Sequence, residues 1–512
     1  MIAVLQFDSA SRAHLEKLLA EKHLPNFAAL RNRGTWYELE TPATYLEGAA
    51  SYSIYTGTGV GEHGQYYPWL WSAREQRVRF MDDFPIPATV WERAGRVGRR
   101  SLIIDPYEIR PPQQMRGIFL AGWQFKNRVV LRSCSLPPKM FRSLTRKLGR
   151  PPLGEEVYGR PSAPELLRLR SGLLASPRRV ADVATELLTR VQFDLVWITM
   201  SAAHLGGHRF SDMSQVSGAI DLKRHGELKT ALEDIYVASD EAMGRILAAL
   251  PSDTDVIVVS SAGMGPNTSR SHLLPKMIEA VLMVGHWSST GARTSRSLLG
   301  SVRSTLPTGL RAWIARALPD RWATELTARL ELRNVNWAET EAFMMPNDDA
   351  GYVRLNLCGR ERDGIVDPKD ADGLLEKIAT GLKTFRNPDG RQAVRSVVRP
   401  SEIGMKGTCF DRLPDLIAQW SEQFVTPTAG VSSAVYGEVP SNGWGTGRTG
   451  SHTGDAWALL LPGSSKLRAP TKLPHIIDIA PTICAVLGVD TDGLAGQPLL
   501  ESGTAARLMG RC

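Results

Sequence analysis

The sequence predicts an α/β fold: a doubly wound, mostly parallel sheet with helices on both faces. Three apolar runs carry this expectation, IAVLQF at Ile2–Phe7, DLVWITM at Asp194–Met200 and DVIVV at Asp255–Val259. Unbroken apolar runs of this length, without polar alternation, suit strands buried on both faces, as in a parallel sheet covered by helices. Between the second and third runs, Leu228–Leu250 repeats its apolar residues at a helical period. Helix therefore alternates with strand along the chain.

Taken in order, the first run ends at Asp8 and so delivers a carboxylate to the C-terminal edge of a strand, where open α/β sheets bind their ligands. The second run leads into SAAH and the third into SSAGMG, which gathers polar loops at the same rim. From Ser288 to Trp337 the pattern changes to serine, arginine and short amphipathic pieces. This predicts an inserted helical cap at 288–337, with the α/β core formed by 1–287 and 338–512. The cap's arginines suit either a solvated face or a surface for an anionic substrate or partner, and the arginine-rich stretch Arg142–Arg179 has the same two readings.

Composition narrows the function classes. A chain of 512 residues exceeds one typical domain, and 43% hydrophobic with 22% charged residues excludes a wholly disordered or collagen-like chain. The net charge of +8 is modest for this length and, with no nucleic-acid motif present, does not point to nucleic acid. Cys134, Cys358, Cys409, Cys484 and Cys512 are odd in number and form no CxxC, so neither a disulfide framework nor a cysteine zinc site is expected. The opening MIAVLQFDSASR has no basic segment before its apolar run, and DVIVVSSAGM and DAWALLLPG fall short of the about 20 residues that cross a bilayer. The expectation is a cytoplasmic protein with no transmembrane segment, a peripheral membrane contact staying open and the oligomeric state unspecified.

Several motifs then carry a resemblance. LPNFAALRNRG at Leu24–Gly34, TGTGVGEHG at Thr56–Gly64, HLGGH at His204–His208, GYVRLNLCGRERDGIV at Gly351–Val366, LPDL at Leu413–Leu416, GSHTG at Gly450–Gly454 and IIDIAPTICAVLGV at Ile476–Val489 follow one another in order. Together with Asp8 they resemble the alkaline phosphatase superfamily, in its type I phosphodiesterase/nucleotide pyrophosphatase branch. Val60 stands where that family usually has proline. The resemblance implies an alkaline-phosphatase-like core and hydrolysis of a phosphoric ester by two zinc-like cations that activate a Thr or Ser hydroxyl.

By that resemblance, one metal takes His204, His208 and His452, with His204 replacing the Asp of the family's D-x-x-G-H motif. Three imidazoles and an open fourth position suit one zinc, with manganese as an alternative. The second metal would use Asp8, the nucleophile, and the Asp and His of S-D-H-G-M; here Ser261 and Ala262 replace that Asp and His. The resemblance therefore implies one metal per chain, with a second only if other residues complete it. The family's nucleophile falls at Glu47, nine residues before Thr56. Thr44 at a helix N-cap is the first substitute, beside free N–H groups that can hold phosphate, although Thr44–Glu47 also reads as a capping box; Ser51 and Ser53 are the other candidates.

Supporting residues have plainer expectations. Arg360 and Glu361 read as an internal ion pair or a substrate contact, His63 as a structural histidine at a helix end, and Asp240 as a structural acid. The leading function is a metal-dependent hydrolase or transferase of phosphoric esters, of phosphodiester or nucleotide pyrophosphate type, acting on a small phosphate ester or another anion. The alternative is a catalytically degenerate binding protein or scaffold, for which Glu47, Ser261 and Ala262 argue. A sulfatase is disfavoured because no cysteine begins a C-x-P-x-R pattern, and a phosphoglycerate mutase because the GRE and DIAPT segments follow the phosphodiesterase branch.

Overall fold

The computed structural model of the chain describes all residues but 108, 113, 128–131, 156–160, 216–224, 284–331, 333–334, 424, 427, 442, 444–445 and 503–512. The cap expected at 288–337 falls almost wholly outside the described residues. The remaining architecture is built from β1 (Ile2–Phe7), β2 (Thr35–Leu39), β3 (Ser101–Ile104), β4 (Gly117–Ala121), β5 (Cys134–Leu136), β6 (Leu195–Met200) and β7 (Asp255–Ser260). After these come β8 (Gly263–Pro266), β9 (Ala342–Met344), β10 (Gly351–Leu355), β11 (Val394–Val398), β12 (Leu416–Trp420), β13 (Gly450–Thr453) and β14 (Ala456–Leu461). The helices that matter for the site are α1 (Ala49–Thr56), α2 (Val90–Arg96), α3 (Ala163–Leu188), α4 (Ala202–Phe210), α5 (Ala231–Ala248) and α6 (Ile479–Leu487).

The central sheet has the order β2-β14-β7-β1-β6-β3-β4-β5. Its middle is parallel: β7, β1, β6, β3 and β4 run in one direction, and β14, β2 and β5 pair antiparallel at the two sides. Each of the three predicted apolar runs is a strand here, and every residue of β1, β6 and β7 is buried. That double burial follows from two hydrophobic layers. One face packs Ala3, Leu5, Phe7, Val196 and Ile198 against α3, α4 and α5; the other packs Ile2, Val4, Leu195 and Trp197 against α1, α2 and α6. Alternate residues of each strand thus enter opposite cores, the period of two that a pleated strand imposes.

A second sheet, β9-β10-β12-β11, is antiparallel and encloses its own core. GYVRL forms β10, and Arg354 within it and Arg360 after it are structural. Arg354 Nε lies 2.7 Å and Arg360 Nε 2.9 Å from Glu361 Oε1, the Arg360 Nη atoms reach Asp415 at 2.6 and 2.7 Å, and Trp71 Nε1–H donates to Glu361 Oε2 at 2.7 Å. Glu361 and Arg354 are fully buried, so removing either partner would strand a charge in the interior. The internal ion-pair reading of Arg360 and Glu361 therefore holds.

Two other expectations resolve as structural. Asp240 on α5 accepts from Asn26 N–H, Asn26 Nδ2 and Phe27 N–H at 3.1, 2.9 and 2.7 Å, which ties the LPNF segment to that helix. His63 Nδ1 accepts from the Gln65 N–H at 3.0 Å, so its Nε2–H donates to Ser53 Oγ at 2.9 Å, and burial pushes its pKa down to about 3. The four described cysteines are free thiols. Among the described residues no helix is long and apolar enough to cross a membrane.

Candidate metal and phosphoester site

The C-terminal ends of β7, β1 and β6, adjacent in the sheet, converge on one cavity. Asp8 follows β1, Ser261 and Ala262 follow β7, and His204 and His208 lie on α4, which begins directly after β6. On a helix, positions four apart share a face, so His204 and His208 point the same way. His452 comes from the other end of the chain on β13, which pairs antiparallel with β8, setting His452 opposite Met264. Gly450 is what lets β13 approach α4: a Cβ there would lie 2.3 Å from the Gly207 carbonyl oxygen. All of Asp8, His204, His208, Ser261 and His452 line the same cavity.

The histidine geometry is specific. His208 Nδ1 is 2.8 Å from the Gly450 carbonyl oxygen, which can only accept, so Nδ1 carries the proton. His204 Nδ1 is 2.8 Å from Asp8 Oδ2, the arrangement in which an imidazole N–H donates to a carboxylate. The two Nε2 atoms, left as lone-pair donors, face each other at 2.9 Å. His452 closes the group, its ring centroid 4.8 Å from that of His204 and 4.9 Å from that of His208, and its buried Nδ1 has no hydrogen-bond partner. Burial, reinforced by Arg448 and the neighbouring imidazoles, holds the His208 pKa well below its ordinary value; burial and His204 bring that of His452 down to about 4. Two lone pairs meeting at this distance repel unless a proton or a cation lies beside them, and burial disfavours a proton on His208.

Ligand atoms of His204, His208 and His452 all lie within 4.8 Å of one another, and among the described residues they are the one such group of three or more His, Cys, Asp or Glu side chains. The donor set therefore fits a borderline transition metal such as zinc. Asp8, expected as a ligand of the second metal, meets His204 Nδ1 with its Oδ2, on the ring nitrogen away from His208. Ser261 and Ala262 stand at the cavity wall and bring no carboxylate or imidazole.

The sequence of the chain is matched from residue 2 to residue 450 by the model of the type I phosphodiesterase / nucleotide pyrophosphatase family. The chain belongs to that family. No curated protein matches it. Among solved structures it is similar to phosphonoacetate hydrolase from Sinorhizobium meliloti 1021 in complex with phosphonoformate, at 12% identity and a TM-score of 0.51, covering 95% of each chain. It is also similar to a mutant of the alkaline phosphatase PafA, at 12% identity and a TM-score of 0.54, covering 97% of this chain and 98% of that one. At these identities the likeness establishes the fold, that of the alkaline phosphatases.

Within this family frame the nucleophile region departs from expectation. Thr44 is not a helix N-cap. Pro42 opens a short 3-10 turn, Pro42–Thr44, capped by the Thr41 hydroxyl, so Thr44 ends that turn with an exposed side chain outside the cavity wall. The α-helix starts only at Ala49, behind Gly48, so the Thr44–Glu47 capping box does not form. Gly48 lies against the chain at Tyr66, whose carbonyl oxygen would be 2.4 Å from a Cβ at that position. Ser53 is buried against His63, while Ser51 and Glu47 both line the cavity.

Sequence reasoning missed the opposite wall. Asp348 and Asp349, from the loop between β9 and β10, and Arg448, just before β13, also line the cavity, as do Tyr67, Trp69 and Tyr107. Arg448 Nη1 lies 3.6 Å from Asp348 Oδ2, and Ser451 Oγ donates to Asp349 Oδ1 in a short contact. Burial, followed by the Asp349 and Asp348 charges, raises the Glu47 pKa well above the carboxylate range. The one available signal was position: both aspartates lie just ahead of the GYVRLN motif, with Ala350 between, and Arg448 precedes GSHTG. Ser9 is a further strained point, with φ of 51° directly after Asp8.

Proposed function

We propose that the chain is a phosphoric-ester hydrolase of phosphodiester or nucleotide-pyrophosphate type, working with one zinc, or manganese in its place, on His204, His208 and His452. The head-on pair of Nε2 lone pairs, 2.9 Å apart with both Nδ1–H groups turned outward, carries this reading. When bound, the metal supplies a Lewis acid for a phosphoryl oxygen or a water. The chain does the rest. Asp8 and the Gly450 carbonyl fix the tautomer and tilt of two imidazoles, Arg448 supplies positive charge beside the cavity for an anionic ester, and Tyr67, Trp69 and Tyr107 give its organic part an apolar wall.

A second reading, a binding protein that keeps the fold without the chemistry, is favoured by Ser261, Ala262 and Glu47 standing where the family has ligands and nucleophile. Elemental analysis of purified protein separates the two when combined with a panel of aryl phosphomonoesters and phosphodiesters. The hydrolase reading expects close to one zinc or manganese per chain, slow cleavage in Zn²⁺ or Mn²⁺, and loss of turnover on chelation. A folded, metal-free protein that cleaves nothing on the panel would leave the binding protein. Two tightly held metals would instead mean that other residues complete a second site.

A further inference from the structure

A buried amide ties down the turn that carries two of the histidines. Gln124, just beyond β4, reaches past the end of β3 to the junction of β6 and α4, and it is fully buried. Its Nε2 donates to Asp105 Oδ2 and to the Thr199 carbonyl oxygen, both at 2.9 Å, and its Oε1 accepts from the Ser201 N–H and the Ser176 hydroxyl, both at 3.0 Å. The amide can point only one way, because a carboxylate and a carbonyl accept and a backbone N–H donates. All four of its bonding capacities are thus used. Asp105 fixes the other end: at φ 51°, directly after β3, its carboxylate also accepts from the Trp123 and Gln124 N–H groups at 2.8 and 2.9 Å.

Thr199 and Ser201 flank Met200, the last residue of β6, and Ser201 is the N-cap of α4, three residues ahead of His204. The Met200 carbonyl oxygen in turn accepts from the Asp8 N–H at 3.0 Å. Gln124 therefore grips both sides of the residue whose carbonyl holds the Asp8 backbone. From this network we infer that Gln124, held by Asp105, is a positioning residue of the site: it sets α4 against the end of β1 so that His204 Nδ1 meets Asp8 and His204 Nε2 is aimed at the shared ligand position. The inference rests on the metal reading above. Gln124 does not itself line the cavity, so it acts through the turn alone. A binding constellation has to be held to about 0.5 Å, and a fully bonded, fully buried amide leaves the turn no slack.

The test replaces Gln124 with methionine, which keeps the length of the side chain and removes all four bonds. Zinc affinity, measured by chelator competition on protein shown by circular dichroism to be folded, should fall about 10-fold, the lower end of what a group behind a metal ligand is worth. The visible absorption of bound Co²⁺, which reports coordination geometry, should change with it. Two controls separate this from a loss of stability alone. Asp240→Asn breaks a buried tie on α5 and should lower Tm with no change in affinity or in the cobalt spectrum. In an Asp8→Asn background the effect of Gln124→Met should shrink, because the contact it aligns is already broken. Without metal, the His204 Nδ1–H signal of ¹⁵N-histidine-labelled protein, assigned by its loss in His204→Ala, should lie at low field in wild type and move upfield in Gln124→Met. Should Gln124→Met not fold, Ser176→Ala, which removes one bond of the four, should shift the same readouts in the same direction by less. Wild-type affinity, cobalt spectrum and ring signal in the folded variant, or full additivity with Asp8→Asn, overturns the assignment of Gln124 and leaves the metal site standing. A wild type that takes up no metal overturns the metal reading, and the ring signal, measured without metal, still decides Gln124.

Discussion

The two walls of the cavity are built on opposite principles. The histidine wall is assembled from the two ends of a rigid frame, α4 behind β6 and β13 beside β8, and two of its Nδ1 atoms are committed: His204 to Asp8, His208 to Gly450. The carboxylate wall comes from a helix approach and a loop, Glu47 before α1 and Asp348–Asp349 between β9 and β10, and its groups are held near one another despite their charge. Rigidly oriented lone pairs suit a cation; crowded carboxyls suit a proton. Ser261 and Ala262, without a carboxylate or an imidazole, stand in the same cavity as both walls.

The strongest way to break that contrast is to remove one imidazole. His208→Ala takes a nitrogen whose partner position is fixed by Gly450, and loss even of a group behind the ligands typically costs 10- to 100-fold in metal affinity, so a ligand should cost more than about 100-fold. Elemental analysis after dialysis should find wild type near unit occupancy and His208→Ala close to none, with hydrolysis falling in parallel. Ser261→Ala should leave metal content unchanged, because that side chain offers the histidine wall no ligand. Retained metal in His208→Ala would mean that the histidines are not its holders.

A smaller effect is expected one step back from the metal. Asp8→Asn preserves shape and size yet removes the carboxylate that fixes the His204 tautomer. Metal affinity should fall about 10- to 100-fold, less than for His208→Ala, and competition with a chelator of known affinity measures it directly. A loss as large as that of His208→Ala would make Asp8 a ligand itself, and would return it to the role that the family resemblance implies.

The two walls also differ in how far the sequence discloses them. β1, β6 and β7 are legible because burial on both faces leaves an unbroken apolar run, and Asp8 and the HLGGH pair are legible because they sit at fixed places beyond those strands. The structural roles of Asp240, His63 and Arg360 follow for a similar reason: each is satisfied within a motif or against a neighbouring one. Thr44 misled because a Thr three residues before a Glu is the local signature of a helix start, whereas Pro42 and the approach of Gly48 to Tyr66 delay the helix to Ala49. That Asp349 and Glu47 line one cavity could not be read at all. Their nearness depends on how the second sheet docks against the first, and no local pattern encodes it.

The mildest prediction concerns stability and separates the walls by pH alone. Glu47 has an unfolded pKa near 4.5 and a folded one raised well above it, first by burial and then by Asp349 and Asp348. Below the unfolded value both states hold the proton and Glu47 makes no difference between them. As pH rises past it, the unfolded chain ionises while the folded chain must keep its proton, so stability falls until the folded pKa is passed. Glu47→Gln removes this penalty, because an amide cannot ionise. In thermal unfolding of the metal-free proteins, Glu47→Gln should therefore gain on wild type as pH rises above 4.5, by an amount on the scale of a few degrees in Tm. A Tm difference independent of pH would mean that the Glu47 carboxyl titrates in the folded protein as it does in the unfolded chain, and the carboxylate wall would then be a solvated acidic edge instead of a proton store.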